Sequence, residues 1–542
     1  MRGAGRVGWA TAAVTAIALA AAGCGGNGAG SGSGVVRASW GDPQNPLEPA
    51  NTTEVQGGKV LDMIFTGLKE YDPETGEARD AMAESIETED QQTFTVTLQE
   101  GWEFTDGTPV TAESYVDAWN YGANLENNQV GSYFFQFIEG YDEVHPTEEG
   151  AKPTADTLSG LELVDDYTFR VSLTQPFSLW PETLGYIAYA PLPEAFFSDH
   201  EAWLEQPVGN GPYQVDSYSR GSSMTLSRNE DYQGADAAQN EGVELRVYTS
   251  NNTAYTDLQA GNLDVTDDIP ASQVRNAERD LDGRYINQPA GIIQTITFPL
   301  YQDEWQGEDA ATVRRGISMA INREEITQQI YGDTRTPATD WTSPVLGESG
   351  GYEEGLCGEA CTYDPERARE LIEDGGGLPG GSITLTSNVD TGSHRQWMDA
   401  ACNSINNVLD DNSACRVNPV ATFAEYREQI TGDRMTGMFR SGWQMDYPLI
   451  QNFLQPLYYT DASSNDSGYS SDRFDSLVDQ ANASDDTGVA LELFQDAERQ
   501  LADDLPAIPL WYQNGSAGYS DRVDNVRLNP FSVPVYSEIT VK

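Results

Sequence analysis

The sequence predicts a mixed α/β protein with several lobes. Residues 94–110 and 284–300 are rich in β-forming residues with period-two character, while other stretches repeat their apolar residues every three or four positions. About 510 residues follow a leader-like N-terminus, which is more than one hydrophobic core usually serves. We therefore expect two or three domains in which β-sheets pack against helices.

Four segments have the apolar spacing of helices, and two of them also carry clear start signals. Thr111, followed by Glu113 and Ser114, is a favourable N-terminal residue, and Asp364 with Pro365 places proline in a first helical turn. The four segments are residues 109–125, 311–332, 364–376 and 490–505.

The N-terminus has the pattern of an export signal. Arg2 and Arg6 precede an alanine-rich run, residues 7–22, that is too short and too weakly apolar to span a bilayer permanently. The stretch resembles a bacterial lipoprotein signal, in which Cys24 becomes the lipidated N-terminus and residues 25–34 form a flexible tether. The alternative is an ordinary secretory peptide that is cleaved near Ala22.

In addition to Cys24, the sequence contains four cysteines. An even number of cysteines in an oxidising compartment predicts disulfides. We favour the pairs Cys357 with Cys361 and Cys402 with Cys415, because each closes a short loop beside turn-forming residues. Zinc is the alternative, since "CGEAC" has nearly the spacing of ligands. The second pair is thirteen residues apart and no histidine accompanies it, so we expect no metal.

The formal net charge of −56 argues against a nucleic-acid partner, because such a surface repels phosphates. The carboxylates are dispersed among apolar residues of regular spacing, so they indicate an acidic coat and not a disordered chain. No second long apolar stretch follows the N-terminus, and we expect no membrane span in the body of the protein.

Motifs of known enzymes are absent from the sequence. The three histidines, His145, His200 and His394, are far apart, and there is no G-x-S-x-G, H-E-x-x-H or Walker-type lysine loop. Paired carboxylates such as Asp267–Asp268 are expected by chance in so acidic a chain, although they leave a hydrolase open. We expect no enzymatic activity and no cofactor.

Seven phrases, in order along the chain, resemble the extracellular solute-binding proteins of ABC importers, in the oligopeptide- and dipeptide-binding family (family 5). They include "GNGPYQVDSYSRGSSMTLSRNEDYQG" and "GWQMDYPLIQNFLQPLYYT". The phrases occupy residues 57–119, 209–234, 257–265, 313–326, 363–372, 442–460 and 503–515. The resemblance therefore covers essentially the whole chain after the leader.

The resemblance implies a periplasmic-binding-protein-like fold that is bilobal, with a third inserted domain and with mixed β-sheets flanked by helices. Domain I is expected to be discontinuous, domain II to be an insertion, and domains I and III to close around the ligand by a hinge motion. The implied ranges are 35–66, 175–297 and 506–542 for domain I, 67–174 for domain II and 298–505 for domain III.

The stretch "RSGWQMD" carries an arginine and an aspartate among apolar residues. If residues 436–446 are extended, Arg440 and Asp446 share one face and Trp443 lies on the other. The resemblance implies that Asp446 holds the α-ammonium of a peptide and that Arg440 meets its carboxylate, while Trp443 forms an apolar wall. The alternatives are a turn cap for Asp446, a surface ion pair for Arg440 and a core position for Trp443.

Two further positions are implied by the resemblance alone. Residues 51–56, near Val55, correspond to a segment that pairs with the main chain of the ligand by strand addition. In "VGSYFFQF", Tyr133 or Phe134 offers the aromatic side chain that the family often places over the ligand, and we choose Tyr133.

The expected function is therefore that of a monomeric receptor, lipid-anchored on the outer face of the cytoplasmic membrane. It captures short peptides and passes them to a permease and its ATPase. The alternatives are another solute in the same architecture, such as an oligosaccharide, a nickel chelate or an opine, or a secreted hydrolase that uses paired carboxylates. The sequence leaves ligand length and side-chain preference open.

Overall fold

The structure, a computed structural model, describes residues 34–147, 150–270, 272–332, 334–389 and 394–542. The predicted signal peptide, Cys24 and residues 25–33 of the tether lie outside the described residues. Among the helices of the described ranges, none combines the length and the apolar character that a membrane crossing requires.

Nineteen strands lie in the described part of the chain, and eleven of them form one large mixed sheet. The strands are β1 (Val35–Trp40), β2 (Lys69–Tyr71), β3 (Ala78–Asp80), β4 (Ala83–Thr88), β5 (Thr93–Leu98), β6 (Leu161–Asp165), β7 (Thr168–Ser172), β8 (Tyr213–Ser219), β9 (Ser223–Arg228), β10 (Gly242–Val247), β11 (Val265–Thr266), β12 (Tyr285–Thr297), β13 (Arg335–Pro337), β14 (Ile383–Asn388), β15 (Cys415–Val420), β16 (Met438–Gln444), β17 (Ala507–Tyr519), β18 (Val523–Asp524) and β19 (Thr540–Val541).

Two long strands, β12 and β17, connect the two halves of the large sheet. They pair with each other in antiparallel register from Tyr285 opposite Gly518 to Thr297 opposite Ala507. Strands β16, β14 and β15 follow on the β12 side, and β11, β1, β10, β9 and β8 follow on the β17 side. The register of the pair shifts between Pro289 and Ile292, near the middle of both strands. The observed fold is the predicted bilobal α/β fold.

A second sheet has the antiparallel order β4-β5-β7-β6. The helix that follows β5, Ala112–Ala123, begins with a capping box between Thr111 and Ser114. Trp119 of this helix is fully buried, and its ring lies 5.5 Å from Phe169 of β7. This sheet falls in the stretch assigned to domain II, and the borders of the three domains stay a prediction.

Sixteen α-helices occur within the described ranges. They are α1 (Val55–Ile64), α2 (Ala112–Ala123), α3 (Tyr141–Val144), α4 (Trp180–Thr183), α5 (Glu194–Ser198), α6 (His200–Glu205), α7 (Asn251–Gln259), α8 (Val274–Asp280), α9 (Gly307–Met319), α10 (Arg323–Ile326), α11 (Pro365–Asp374), α12 (His394–Leu409), α13 (Phe423–Thr431), α14 (Ile450–Tyr458), α15 (Asp472–Asn482) and α16 (Thr487–Asp504).

The predicted helices appear as α2, α9, α11 and α16, with one difference. Residues 311–332 do not form a single helix, because the α-helical path of α9 ends at Met319 and α10 begins only at Arg323. The predicted start of α11 is confirmed, since Asp364 caps it by accepting hydrogen bonds from the N–H groups of Glu366 and Arg367.

The β-rich stretches are confirmed in part. Residues 284–300 contain β12, whereas within residues 94–110 the strand β5 ends at Leu98 and the rest forms turns and a single bridge. Both predicted disulfides, Cys357–Cys361 and Cys402–Cys415, are present. The second joins α12 to β15, which stabilises the edge of the large sheet.

Candidate functional site

A cavity of about 310 Å³, here called the acidic cavity, lies where α1, the end of β16 and residues 529–537 meet. Its charged wall residues are Glu54, Lys59, Asp62, Lys69, Glu70, Asp236 and Asp446. Its aromatic wall residues are Phe65, Tyr71, Tyr186, Tyr213, Tyr232, Phe531 and Tyr536. Five of the seven charged residues are acidic, so the cavity favours a positively charged ligand.

Asp446 lies just after β16, and the side chain of Asn452 fixes its position. The Asn452 Oδ1 atom accepts hydrogen bonds from the Asp446 N–H at 2.8 Å and from the Trp443 Nε1–H at 3.0 Å. These two donors fix the orientation of the buried amide, so its Nδ2–H points to the carboxylate and donates to Asp446 Oδ2 at 3.0 Å. The carboxylate is thereby held without a positive charge beside it.

Burial raises the pKa of Asp446 to about 7, and the hydrogen bond from Asn452 opposes the rise only partly. No cationic side chain of the described residues contributes to this shift. A carboxylate that is removed from water and has no counter-charge costs free energy to ionise. A cationic ligand at this position removes that cost.

A second carboxylate reaches the cavity from α1. Val55, Gly58 and Asp62 line the cavity together, because positions three and four apart share one face of a helix. Asp62 is exposed on that face and has no hydrogen bond or ion pair with any described residue. The surrounding protein raises the pKa of Asp62 to about 7 through desolvation alone.

The remaining charged groups of the cavity have partners. Lys59 forms an ion pair with Asp267 at 2.5 Å, and Lys69 pairs with Asp80 at 3.0 Å. The Glu54 carboxylate caps α1 by accepting from the Gln56 and Gly57 N–H groups at 2.7 and 2.8 Å. Both cations of the wall are therefore already neutralised.

Glu70 and Asp236 share the guanidinium of Arg79. Burial, followed by repulsion from Asp236, raises the pKa of Glu70 to about 7 although Arg79 opposes the rise. Asp62 and Asp446 are thus the two acidic wall residues that, in the described structure, have neither a cationic partner nor the helix-capping role of Glu54.

A second cavity, of about 340 Å³, adjoins the first at Asp446. Tyr133 and Trp443 line it together with α14 and the loop that follows. The rings of Tyr133 and Phe134 stack with centroids 4.4 Å apart, and Phe134 lies 4.3 Å from Tyr186 of the acidic cavity. A continuous aromatic stack therefore connects the two cavities.

The extended segment around Arg440 is shorter in the structure than predicted. Strand β16 covers Met438–Gln444, so Asp446 lies in the bend beyond it and does not continue the face of Arg440. Trp443 and Asp446 line the second cavity together, although strict alternation places them on opposite faces. The strand cannot continue its alternation because Asp446 turns toward Asn452 before Pro448.

Arg440 lines neither cavity. Its Nε atom is buried without a hydrogen-bond partner in the described structure, and burial lowers the pKa of its guanidinium despite the nearby hydroxyls of Tyr426 and Tyr331. Its role toward a ligand carboxylate stays a prediction. Val55 lines the acidic cavity, but it is the first residue of α1, so the extended segment before it ends at Glu54.

One edge of β16 is open beyond its first two residues. Strand β12 pairs with β16 along Phe439–Gln444, whereas β14 pairs only with Met438 and Phe439. Among the strands that the structure describes, residues 440–444 therefore have a neighbour on one side only.

Sequence reasoning missed Asp62 and Asn452. Asp62 follows Val55 by seven positions, so a helical spacing from Val55 was the signal that could have identified it. Asn452 has no such signal, because its role depends on the turn that brings α14 back to Asp446.

Comparison with known proteins assigns the family. The model of the bacterial extracellular solute-binding proteins, family 5 (middle region), matches residues 77–465, which is more than half of the chain. The chain belongs to this family of solute-binding proteins. This confirms the family that the ordered phrases predicted.

Two kinds of relatives agree with this assignment. The oligopeptide-binding protein OppA of Bacillus subtilis is 24% identical over 488 residues, which cover 86% of this chain and 85% of that protein. The structure of CtaP from Listeria monocytogenes has a TM-score of 0.78 at 20% identity, covering 94% of this chain and 99% of that one. The complex of Haemophilus influenzae OppA with the peptide RPPGFSPFR has a TM-score of 0.74 at 20% identity and covers 94% and 99%. The periplasmic-binding-protein-like fold is thereby confirmed.

Proposed function

We propose that the protein is the extracytoplasmic receptor of an ABC importer. It binds short peptides and delivers them, chemically unchanged, to a permease and its ATPase. The observation that carries the proposal is the Asp446 carboxylate, which Asn452 orients at the junction of two cavities without a cation beside it. The α-ammonium of a peptide supplies the missing positive charge and three hydrogen-bond donors.

The names of the relatives support a peptide ligand. The Bacillus subtilis relative is named as an oligopeptide-binding protein, and the similar Haemophilus influenzae structure is a peptide complex. A neutral oligosaccharide, by contrast, would leave both Asp62 and Asp446 without a counter-charge in a partly desolvated cavity. The acidic walls therefore favour a ligand with an amino terminus.

The open edge of β16 supports recognition of the peptide main chain. Residues 440–444 have unpaired strand positions directly before Asp446. A peptide held by its ammonium at Asp446 can extend along this edge by strand addition, which gives affinity with little dependence on side chains. Trp443 and Tyr133 then contact a ligand side chain in the second cavity, and Arg440 meets the ligand carboxylate.

We extend the proposal to the attachment of the protein. Lipid on Cys24 would hold the receptor at the outer face of the cytoplasmic membrane, close to its permease, with residues 25–34 as the tether. Metabolic labelling with a fatty-acid analogue tests this part: we expect label in the native protein and none in the Cys24→Ser variant.

Isothermal titration with tripeptides tests the binding site. We expect Ala-Ala-Ala to bind and its N-acetylated form to bind at least about 100-fold more weakly, because acetylation removes the charge that Asp446 compensates. The Asp446→Asn variant should lose a similar factor. As a matched control, Asp485→Asn removes the same charge from an exposed position outside both cavities and should bind normally.

Equal affinity of Asp446→Asn and the native protein would reject the proposed anchor. Recovery of cleaved peptide after incubation would instead favour the hydrolase. Binding of sugars in place of peptides would favour another solute in the same architecture.

A further inference from the structure

We infer that Asp62 is a second cation anchor, which makes the protein selective for peptides whose first side chain is basic. This inference rests on the proposed function, because it assumes a peptide whose ammonium lies at Asp446. It names a specificity-determining residue and a narrower class of ligand: short peptides that begin with lysine, arginine or a similar amino acid.

The two carboxylates face one space from different walls. Asp62 projects from α1, near the start of the chain, and Asp446 lies after β16. Both line the acidic cavity, and the negative charges of both raise the pKa of the Tyr186 hydroxyl, after the larger effect of its burial. Because they extend from separate walls of the cavity, we take each carboxylate to bind an ammonium group of its own. Each therefore requires a positive charge of its own.

The described residues do not supply the second charge. Lys59 and Lys69 are the cations of the cavity wall, and Asp267 and Asp80 already neutralise them. A ligand with one positive charge compensates Asp446 and leaves Asp62 ionised without a partner. A ligand with two positive charges compensates both carboxylates, so the acidic cavity discriminates between the two ligands.

The walls beside Asp62 suit the stem of a long basic side chain. Gly58 lies one turn before Asp62 on α1, and a Cβ atom at this position would meet no atom within 4 Å. The absence of a side chain there leaves room along the helix face. The ring of Tyr186, whose hydroxyl is affected by the charge of Asp62, forms an apolar wall against which the methylene groups of lysine can pack while the ammonium reaches the carboxylate.

Matched tripeptides test the inference directly. Lys-Ala-Ala and norleucine-Ala-Ala have first side chains of similar length, and only the lysine peptide carries the second charge. Isothermal titration at pH 8 should show about tenfold or greater preference of the native protein for the lysine peptide. In Asp62→Asn this preference should fall to about twofold or less, since the anchor is neutral.

The norleucine peptide also reports on folding. Binding of this peptide by Asp62→Asn shows that the variant keeps a folded cavity, and the ratio of the two peptide affinities, measured in the same variant, reports on Asp62. The Asp485→Asn control, which changes the net charge equally at an exposed position, should retain the full preference for lysine.

Three results would overturn the inference. Equal affinity of the native protein for both peptides, or an undiminished lysine preference in Asp62→Asn, would refute a role of Asp62 while leaving peptide binding intact. Failure of the native protein to bind either peptide would refute the proposed function together with this inference.

Discussion

Two sets of carboxylates in this protein have opposite surroundings. Asp264, before β11, has no exposed surface and accepts hydrogen bonds from Arg37 Nε at 2.8 Å, Arg37 Nη2 at 2.7 Å and Ser520 Oγ at 3.0 Å, with Arg522 as a further partner. Burial opposes its ionisation, but the bonds from Arg37 outweigh burial and lower the pKa of Asp264. Asp62 and Asp446 have no cation of the described residues beside them, and desolvation by the cavity walls raises the pKa of both.

The first carboxylate is compensated within the fold, whereas in the proposed function a ligand compensates the other two. The hydrogen bonds of Asp264 join β1, the start of β11 and the C-terminal segment. Groups of the protein therefore already compensate its charge, and the interaction stabilises the fold. The interaction energy of Asp446 is unused until a cation enters the cavity. Burial by itself does not indicate function, and the proposed site rests on carboxylates that face a cavity without a cationic partner among the described residues.

The largest expected effect is on stability at Asp264. The Asp264→Asn change should lower the free energy of unfolding by about 3 kcal/mol, because it leaves two partly buried arginines without their counter-charge. Thermal unfolding at pH 8 measures this loss. The peptide affinity of the folded Asp264→Asn variant should equal that of the native protein. The control variant Glu162→Gln removes an exposed ion pair with Arg170, and it should leave the midpoint of thermal unfolding unchanged. A stable Asp264→Asn protein would contradict the structural role.

The pH dependence of binding sharpens the contrast. Below pH 7 a proton must leave Asp446 before it can hold an ammonium group, so affinity for norleucine-Ala-Ala should fall about tenfold per pH unit between pH 6.5 and 5. For Lys-Ala-Ala, Asp62 must also lose a proton, and the slope should approach twice that value. Titrations at several pH values measure both slopes. Asp264 does not contribute, since its lowered pKa keeps it ionised throughout this range.

The other titratable groups on the cavity walls must be considered in that measurement. They are Glu54, Lys59, Lys69, Glu70, Tyr71, Tyr186, Tyr213, Tyr232, Asp236 and Tyr536. Glu70 also has a pKa raised to about 7. Its titration contributes equally to the slopes of both peptides and to those of the Asp62→Asn variant. The difference between the two slopes, and its loss in Asp62→Asn, therefore reports on Asp62. Equal slopes for the two peptides would contradict a second anchor.

The smallest expected effect is a gain of stability without ligand. A carboxyl group whose pKa is raised in the folded state destabilises that state as pH rises from its unfolded pKa through its folded pKa. At pH 8 the Asp446→Asn protein should therefore be more stable than the native protein by about 1 kcal/mol, a modest value because cavity water reaches the carboxylate. The gain should disappear near pH 4. Destabilisation at pH 8 would show that Asp446 serves the fold, as Asp264 does.

Much of the local structure could be predicted from the sequence. The cap of α11 depends on Asp364 and on N–H groups two and three residues later, and the alternation of β12 depends on immediate neighbours. The disulfide partners are four and thirteen residues apart, so short loops bring them together. The ordered phrases also identified the family correctly, because each phrase is a local pattern.

The site could be predicted only in part. Asp446 and Trp443 were identified from the family phrase, and the structure places both on the second cavity. The phrase could not reveal that Asn452 would hold both groups or that the strand would end at Gln444, since the turn into α14 decides this. The phrase also could not reveal that Arg440 lines neither cavity.

The sequence by itself determined the α/β class, the main helix starts and the family, and it favoured the disulfide pairs that the structure contains. Each depends on interactions between residues that are near in the chain. Tertiary structure alone decided which carboxylates are compensated, because Asp264 meets Arg37 and Arg522 from distant segments while Asp62 and Asp446 face the cavity without a cation of the described residues beside them. The sequence shows which side chains carry a charge, but the fold decides which charged side chains lie next to each other.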